Sequence, residues 1–278
     1  MPLTVCAALE PSAGDGAFLD TAPKGVPVTG LDLAPRDERV RQGNFLEVTS
    51  QDLWPDEAVW RLVVGNPPFG RKASLASAFI AHAAQLGAHV VAFVLPIQFR
   101  KWSAQARVPA GWRLVADHDL PEEAFEILGE PYRVRCSFQI WLAPQTPVHP
   151  DWPDRRLRDK PPVNHPDFEA YQFNRTVEAE KFFHYDWDFA VPRQGYADYT
   201  HKAYKEADCD RKQQWIFFKA RTPRALRVLL NLDFVALSQK NIGTPGFGKA
   251  DVVAAYVAAL PGEPPENDDP RNEPPGTS

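Results

Sequence analysis

A short apolar run that ends in two glycines and two prolines constrains this chain more than any other stretch. Leu62 to Val64 has the character of a buried strand, and Gly65-Asn66-Pro67-Pro68-Phe69-Gly70 follows it directly. Proline lacks the N–H group that the interior of a strand or helix needs, so neither element continues through this segment. The sequence therefore predicts a stiff loop at the C-terminal end of a strand, which in open α/β sheets is the edge where ligands bind.

The side chains of this loop suit a flat ligand that carries an amine. Asn66 offers a carboxamide that both accepts and donates hydrogen bonds, Pro67 offers a carbonyl, and Phe69 offers an aromatic face. Two acceptors beside an aromatic platform match a planar base with an exocyclic amine. The alternative is an ordinary turn, because Asn-Pro and Pro-Pro are common in loops.

A second segment has the same form. Glu10-Pro11-Ser12-Ala13-Gly14-Asp15-Gly16-Ala17-Phe18 follows a short apolar strand predicted over Thr4 to Leu9, and a helix is predicted from Ala17. Glycines in such a turn let the backbone approach a ligand closely. The next predicted strand, Val26 to Leu33, places Asp32 near its end, where a carboxylate can accept hydrogen bonds from ribose hydroxyls. A plain connector and a solvated aspartate are the structural alternatives.

Together the two segments resemble the class I S-adenosylmethionine-dependent amino-methyltransferases that act on adenine N6. The first motif of that family reads Glu-Pro-Ser-Ala-Gly-x-Gly-x-Phe and its catalytic motif reads Asn-Pro-Pro-Phe or Asn-Pro-Pro-Tyr, and both occur here in the expected order. The resemblance covers residues 3–145. It implies an α/β fold with a doubly wound, mostly parallel seven-stranded sheet. It also implies S-adenosyl-L-methionine as cofactor and S-adenosyl-L-homocysteine as product.

The same resemblance implies the site residues. The catalytic loop is Asn66, Pro67, Pro68 and Phe69. The residues expected to bind the cofactor are Glu10, Pro11, Ser12, Ala13, Gly14, Gly16, Asp32, Leu33, Asn44, Phe45 and Asn66. Asn44 departs from the family, which usually has an aspartate at this position. An amide oxygen accepts a weaker hydrogen bond than a carboxylate does, so the hold on the cofactor's adenine is expected to be weaker.

Aromatic and basic residues near the same loops are candidates for contact with the target base. Phe69 is expected to stack on it, and Phe125, with Tyr132 as alternate, is the candidate for a second stacking contact. Phe99 and Lys101 follow the continuous apolar run Val90 to Leu95, which predicts a strand buried on both faces. For Phe99 and Phe125, packing in the core is an equally good alternative.

Composition divides the chain into three parts. Residues 1–148 form the predicted cofactor-binding catalytic domain. Residues 149–260 form a smaller α+β region for target recognition, with 17 basic and 15 acidic side chains and many aromatics, although a small core with ordinary surface lysines explains that composition equally well. Residues 261–278 contain six prolines and five acids, which predicts a disordered tail. A permuted cofactor segment is hypothesised at 241–253.

The expected partner is a nucleic acid, and the Glu-Pro-Ser-Ala-Gly opening favours DNA over RNA. The alternatives are an RNA base N-methyltransferase acting on rRNA or tRNA, a protein glutamine methyltransferase, and a catalytically silent nucleic-acid-binding module. Neither a membrane span nor a metal site is predicted, because apolar runs are short and no cysteine or histidine pairs have metal-ligand spacing. Three widely spaced cysteines predict free thiols in a soluble, cytoplasmic protein. The sequence does not indicate an oligomeric state.

Overall fold

The computed structural model describes residues 6–50, 53–55, 58–121, 123–127, 130–196, 198–239 and 244–262. These residues form two compact units, of which one ends at Lys160 and the other begins at Pro161. Three predicted features lie wholly or partly outside the described residues. They are the start of the first strand at Thr4, residues 241–243 of the hypothesised cofactor segment, and all but the first two residues of the tail at 261–278.

The N-terminal unit is built on a seven-stranded sheet. The strands of this unit are β1 (Cys6–Glu10), β2 (Val28–Asp32), β3 (Val40–Gln42), β4 (Trp60–Gly65), β5 (Val90–Pro96), β6 (Arg113–Asp119), β7 (Glu126–Ile127), β8 (Glu130–Pro131) and β9 (Cys136–Leu142). The sheet order is β3-β2-β1-β4-β5-β9-β6, and β7 pairs with β8 as a separate hairpin. Strands β1 to β5 pair in parallel, whereas β9 is antiparallel to both β5 and β6. The predicted fold class, a mostly parallel seven-stranded α/β sheet, is confirmed.

Three helices accompany this sheet, namely α1 (Ala17–Asp20), α2 (Ser74–Gln85) and α3 (Trp102–Gln105). An alanine-rich stretch with apolar residues at helical spacing, Ala73 to Leu86, predicts helix α2 from the sequence. Its buried residues, including Phe79 and Ile80, pack in one core cluster with Leu9, Val63 and Phe93 of the sheet. Alternate residues of the central strands therefore share the face that α2 covers.

The C-terminal unit has a smaller antiparallel sheet of order β10-β12-β11, with β10 (Phe168–Phe173), β11 (Phe189–Gln194) and β12 (Gln214–Ala220). Helices α4 (Pro223–Leu230), α5 (Phe234–Ser238) and α6 (Lys249–Ala259) contribute to the core cluster on one face of this sheet. The start of α4 follows from sequence, because the Thr222 hydroxyl accepts a hydrogen bond from the Ala225 N–H and Pro223 fits the first turn. A smaller α+β region is thus present, as predicted.

The boundary between the units lies later than the composition indicated. Residues after 148 were expected to start the second region, but the segment up to Lys160 belongs to the N-terminal unit. The Arg156 guanidinium donates hydrogen bonds of 2.6–3.1 Å to the carbonyls of Gln105, Val108, Pro109 and Trp112. It also lies over the Trp141 ring, 5.8 Å from its centroid. A stretch that looks like a charged linker in the sequence is therefore attached to the loop after α3.

Replacing Arg156 with alanine should destabilise this part of the N-terminal unit. The change removes one charged donor from each of four carbonyls, of which the Trp112 carbonyl keeps the Arg158 guanidinium at 3.0 Å. Each lost bond contributes about 1 kcal/mol or more, so we expect a total loss of about 2–4 kcal/mol. Hydrogen–deuterium exchange of peptides from residues 105–114 measures the effect locally. Arg155→Ala removes the exposed neighbouring guanidinium and should leave that exchange unchanged. Equal exchange in the two variants would contradict the structural role of Arg156.

Candidate active site

The two segments selected from the sequence meet at the centre of the sheet. The order of the parallel strands reverses between β1 and β4, and such a reversal opens a crevice at the C-terminal ends of the strands. The Ser12 hydroxyl, in the loop after β1, donates a 2.9 Å hydrogen bond to the backbone carbonyl of Asn66 in the loop after β4. Gly65 permits this approach, because a Cβ there would lie 3.2 Å from Glu10 Cγ.

The loop after β4 is held by its flanking residues. Asn66 and Pro68 are exposed, Pro67 is buried, and Phe69 is half-buried. Gly70 has φ of 68°, and a Cβ there would lie 2.9 Å from Leu75 Cγ. Ala73 has φ of 57°, a left-handed conformation that costs a non-glycine residue about 1 kcal/mol or more. Strained backbone of this kind persists only where the surrounding structure fixes it, so the segment at Ala73, which follows the loop, is held by its contacts.

The glycine-rich loop after β1 holds Asp32 in place. Gly14 N–H donates to one carboxylate oxygen of Asp32 at 2.9 Å, and Ala34 N–H donates to the other at 2.8 Å. Gly14 has φ of 52° with open space where a side chain would stand, and Gly16 has φ of 82° at the start of α1. Each Asp32 oxygen retains acceptor capacity, so the carboxylate is oriented and still able to bind a hydroxyl.

Glu10 is the most unusual residue of the crevice. Its side chain is 2% exposed, and its Oε2 atom has no hydrogen-bond partner in the structure. Burial is the main cause that raises the pKa of Glu10 to about 7, and the negative charges of Asp15 and Asp32 contribute to this rise. A buried carboxyl group with an unpartnered oxygen matches a positively charged or hydrogen-bond-donating ligand.

Two residues predicted to bind the cofactor, Asn44 and Phe45, have side chains that contact other residues of the protein. The Asn44 carboxamide accepts from the Leu46 N–H at 3.1 Å and donates to Glu47 at 2.8 Å. Phe45 is 1% exposed and packs against Phe79, with ring centroids 4.9 Å apart. Helix α2 thus covers the ring of Phe45, which was expected among the cofactor-binding residues, so this ring has no open face in the structure.

Leu33, by contrast, is available at the crevice. It follows β2 directly and is 67% exposed, which makes it an apolar surface next to Asp32. Pro11, Ser12 and Ala13 form the turn between β1 and the glycine loop, where Ala13 N–H donates to the Leu31 carbonyl at 2.9 Å. This bond joins the turn to β2.

The candidates for contact with the target base divide into buried and accessible residues. Phe99 is fully buried and meets Trp141 edge to face at 6.2 Å, so the core alternative is correct for it. Lys101 is half-buried at the N-terminus of α3. Phe125 is half-buried, Tyr132 is 50% exposed, and the Tyr132 N–H donates to the Phe125 carbonyl at 2.8 Å. These two aromatics stand at the base of the β7–β8 hairpin.

The hairpin lies on the same edge of the sheet as the catalytic loop. Strand β9 runs antiparallel to β5, so it starts beside the C-terminal end of β5, and the end of β6 pairs with this start. No pattern in the sequence indicates the ion pairs of Arg100 at this edge. The Arg100 guanidinium donates two 2.8 Å hydrogen bonds to Asp117 and lies 2.8 Å from an Asp119 oxygen.

The hypothesised cofactor segment has internal contacts in the C-terminal unit. The Pro245 carbonyl accepts from the Gly195 N–H at 3.0 Å and from the Tyr199 hydroxyl at 2.5 Å. Phe247 is buried in the core of that unit, and α6 begins at Lys249. The described residues of this segment therefore have a structural function there.

A cavity of about 380 Å³ occurs on the face of the central strands that Ala8, Leu62 and Val64 share. Phe18 and Pro23 lie on its other side, and its lining is almost entirely apolar. Such a lining offers few partners for the polar groups of a nucleoside. The crevice between the loops after β1 and β4, where Glu10, Asp32 and Asn66 offer such partners, is therefore the candidate site.

Among the described residues, no three histidine, cysteine, aspartate or glutamate side chains come together as a metal site. No helix in the same ranges is long and apolar enough to cross a membrane. Cys6, Cys136 and Cys209 are free, and burial raises the pKa of the Cys136 thiol to about 12. A thiol with so high a pKa is a poor nucleophile at neutral pH.

No protein-family model and no curated protein sequence matches this chain. Among solved structures, it is similar to the type IIL restriction-modification enzyme MmeI in complex with DNA, with a TM-score of 0.51 and 9% identity over 89% of this chain and 61% of that one. The chain has a methyltransferase-like fold. It is also similar to the M protein of the type I restriction enzyme EcoKI, with a TM-score of 0.39 and 13% identity over 93% of this chain and 67% of that one.

A third similar structure is a chain of the E. cuniculi Mtq2–Trm112 complex, which is responsible for methylation of the eRF1 translation termination factor. The TM-score is 0.34, and the identity is 16% over 51% of this chain and 87% of that one. A fold does not by itself identify a substrate, so the substrate has to be argued from the site.

Glu10→Gln should stabilise the protein at high pH. The folded-state pKa of Glu10, about 7, lies above its usual value of 4.5, so the folded protein binds this proton more tightly than the unfolded chain does. Ionisation of Glu10 therefore destabilises the folded wild-type protein. This effect is absent below pH 4.5 and complete above pH 7, where it lowers the free energy of unfolding by about 1–3 kcal/mol.

Thermal unfolding of wild type and Glu10→Gln across this pH range measures the difference. We expect the variant to melt at a higher temperature at about pH 8 and the gap to close as the pH falls below 5. Glu38→Gln, which changes an exposed acid of the same unit, is the matched control. A gap that stays constant with pH would show that Glu10 does not titrate as stated.

Proposed function

We propose that this protein transfers the methyl group of S-adenosyl-L-methionine to the exocyclic N6 of adenine in DNA and releases S-adenosyl-L-homocysteine. The observation that carries the proposal is the junction of two loops. Ser12 donates to the Asn66 carbonyl, and this bond holds the acceptor loop Asn66 to Phe69 beside the crevice that contains Glu10 and Asp32.

The residues of the crevice fit this cofactor. Glu10 has a buried oxygen without a partner, which suits a cationic group. Asp32 is oriented by two backbone N–H groups and suits the ribose hydroxyls. The open space at Gly14 allows a ligand to approach the backbone, and Leu33 adds an exposed apolar surface. When bound, the cofactor supplies an electrophilic methyl group on a sulfonium leaving group.

The acceptor loop makes the adenine amine reactive. The lone pair of that amine is delocalised into the ring, so the amine is a poor nucleophile. The Asn66 carboxamide oxygen and the Pro67 carbonyl accept its two N–H hydrogen bonds, which localises the lone pair as the nitrogen becomes tetrahedral. Positioning and electrostatic stabilisation therefore account for the rate, and no strong base is needed.

The aromatic residues of the loop suit a base outside the duplex. The target atom of a stacked base is inaccessible, so the base must leave the helix, at a cost of a few kcal/mol. Phe69 replaces part of the lost stacking, and Phe125 or Tyr132 on the hairpin is the second stacking residue. Lys101 is a candidate for contact with the nucleic acid backbone.

DNA is favoured as the substrate by two observations. The region after residue 148 carries a small excess of basic over acidic side chains together with many aromatics, which suits contact with phosphates and bases. MmeI, which matches 89% of this chain, was solved in complex with DNA. Three free thiols agree with a cytoplasmic location.

A catalytically silent nucleic-acid-binding module is the second candidate. The Asn44 carboxamide is hydrogen-bonded to Leu46 and Glu47, and Phe45 is buried. Two expected contacts to the cofactor are therefore weakened. Such a module would bind nucleic acid with strong salt dependence and transfer no methyl group.

The direct test is transfer of labelled methyl from S-adenosylmethionine to duplex DNA, single-stranded DNA and total RNA, by wild type and by Asn66→Ala. We expect N6-methyladenine in DNA and a loss of at least about 100-fold in the variant, because an electrostatic acceptor at the reacting atom is removed. Asn164→Ala changes an exposed asparagine elsewhere and should keep full activity. Methylation of RNA alone would show that the substrate is RNA and not DNA. Cofactor binding without methylation of any substrate would favour the silent module.

Phe69→Ala should impair methylation of duplex DNA more than that of single strands. Stacking on an aromatic side chain contributes about 1–3 kcal/mol per base. In duplex DNA this energy offsets the cost of moving the base out of the helix, and a single strand has no such cost. We expect a loss of roughly tenfold or more in kcat/KM on duplex DNA. Phe69→Trp keeps an aromatic face and should retain most of the activity. An equal loss on both substrates would contradict a stacking role.

A further inference from the structure

The crevice has an excess of negative charge around a buried group. Glu10 is 2% exposed, and the charged side chains that act on it are Asp15 in the loop after β1 and Asp32 at the end of β2. Strand β4 contributes Gly65, whose position brings it close to the Glu10 side chain without adding a charge. Three carboxyl groups thus share this side of the crevice.

No cationic side chain of the described residues forms an ion pair with Glu10. Arg39, a cation of the neighbouring loop, is bound at 2.7 Å to Asp20 and at 2.6 Å to Asp37. The Oε2 atom of Glu10 accepts no hydrogen bond in the structure. A buried carboxylate in this position must therefore either take up a proton or acquire a cation from outside.

We infer that Glu10 holds a proton in the empty crevice and releases it when a cationic ligand binds, so that a positive group of the cofactor takes the place of the proton. This inference rests on the cofactor assignment of the proposed function. The O–H bond of the carboxyl group breaks, the proton passes to solvent, and an ion pair forms without any covalent bond to the ligand.

The exchange makes Glu10 a specificity-determining residue for the amino-acid part of the ligand. S-adenosylmethionine and S-adenosylhomocysteine both carry an α-ammonium group, which stays charged below about pH 7.5. 5′-Methylthioadenosine has the same nucleoside but lacks this group. Only the first two ligands can replace the proton, so only their affinity should rise as Glu10 becomes easier to ionise.

The pKa of Glu10, which burial raises to about 7, sets the pH range in which proton release on ligand binding is measurable. At about pH 6 roughly nine-tenths of the empty protein carries the proton, and at about pH 7.5 only a minority does. The affinity for S-adenosylmethionine should therefore increase close to tenfold between these two conditions, while that for 5′-methylthioadenosine does not increase.

Isothermal titration calorimetry of the full chain, in two buffers with different ionisation enthalpies, counts the protons directly. At about pH 6 we expect about 0.9 proton released per S-adenosylmethionine or S-adenosylhomocysteine bound, and none per 5′-methylthioadenosine. Glu10→Gln should release no proton and should bind the two charged ligands with weaker affinity that does not change with pH. Glu38→Gln, the matched control, should behave as wild type does.

Three results would overturn the inference: binding by wild type at pH 6 without proton release, unchanged proton release in Glu10→Gln, or no binding of either charged ligand. The wild-type measurement decides the question even where the variant does not fold. The outcome is separate from that of the methyl-transfer assay. Proton-coupled binding without methylation would disprove only the proposed function, and methylation with binding that releases no proton would disprove only the role of Glu10.

Discussion

The site depends on the absence of a side chain at Gly65. This residue ends β4 where the strand order reverses, and a Cβ atom there would lie 3.2 Å from Glu10 Cγ and 3.6 Å from Pro11 Cδ. Because that space is free, the loops after β1 and β4 approach closely enough for the Ser12 hydroxyl to bind the Asn66 carbonyl. The loop that carries Asn66 and the loop that follows Glu10 therefore adjoin at one position in the crevice of this doubly wound sheet.

Several residues around this junction are unfavourable for stability. Glu10 is buried with an unpartnered oxygen, and Ala73 has a left-handed backbone conformation next to the acceptor loop. Each costs energy that a purely structural loop would avoid, since a glycine at 73 or an apolar residue at 10 would satisfy the fold. Such costs concentrate at functional sites, and here they adjoin the two segments that carry the chemical groups.

The sequence predicted the features that depend on local chemistry. Prolines and glycines after an apolar run located the loop at Asn66, and helical spacing located α2 to within a residue at each end. Packing between distant segments is what the sequence leaves open. Phe45 and Phe99 resemble ligand contacts by position in the chain, but α2 and Trp141 cover them. Arg156 resembles a solvated linker charge, yet its carbonyl partners lie 44–51 residues earlier, where no local pattern reveals them.

The residues proposed for the reaction lie in the local motifs, whereas those that choose the target do not. Among the described residues, the hydrogen bonds that shape the crevice run from Ser12 to the Asn66 carbonyl and from the Gly14 and Ala34 N–H groups to Asp32, all within the first half of the chain. The methyl transfer that we propose therefore involves only these loops, and a fold does not by itself identify a substrate. Target choice must then depend on elements that the motifs leave unspecified. The β7–β8 hairpin is one such element, because it stands on the same edge of the sheet and presents Tyr132 in an exposed position.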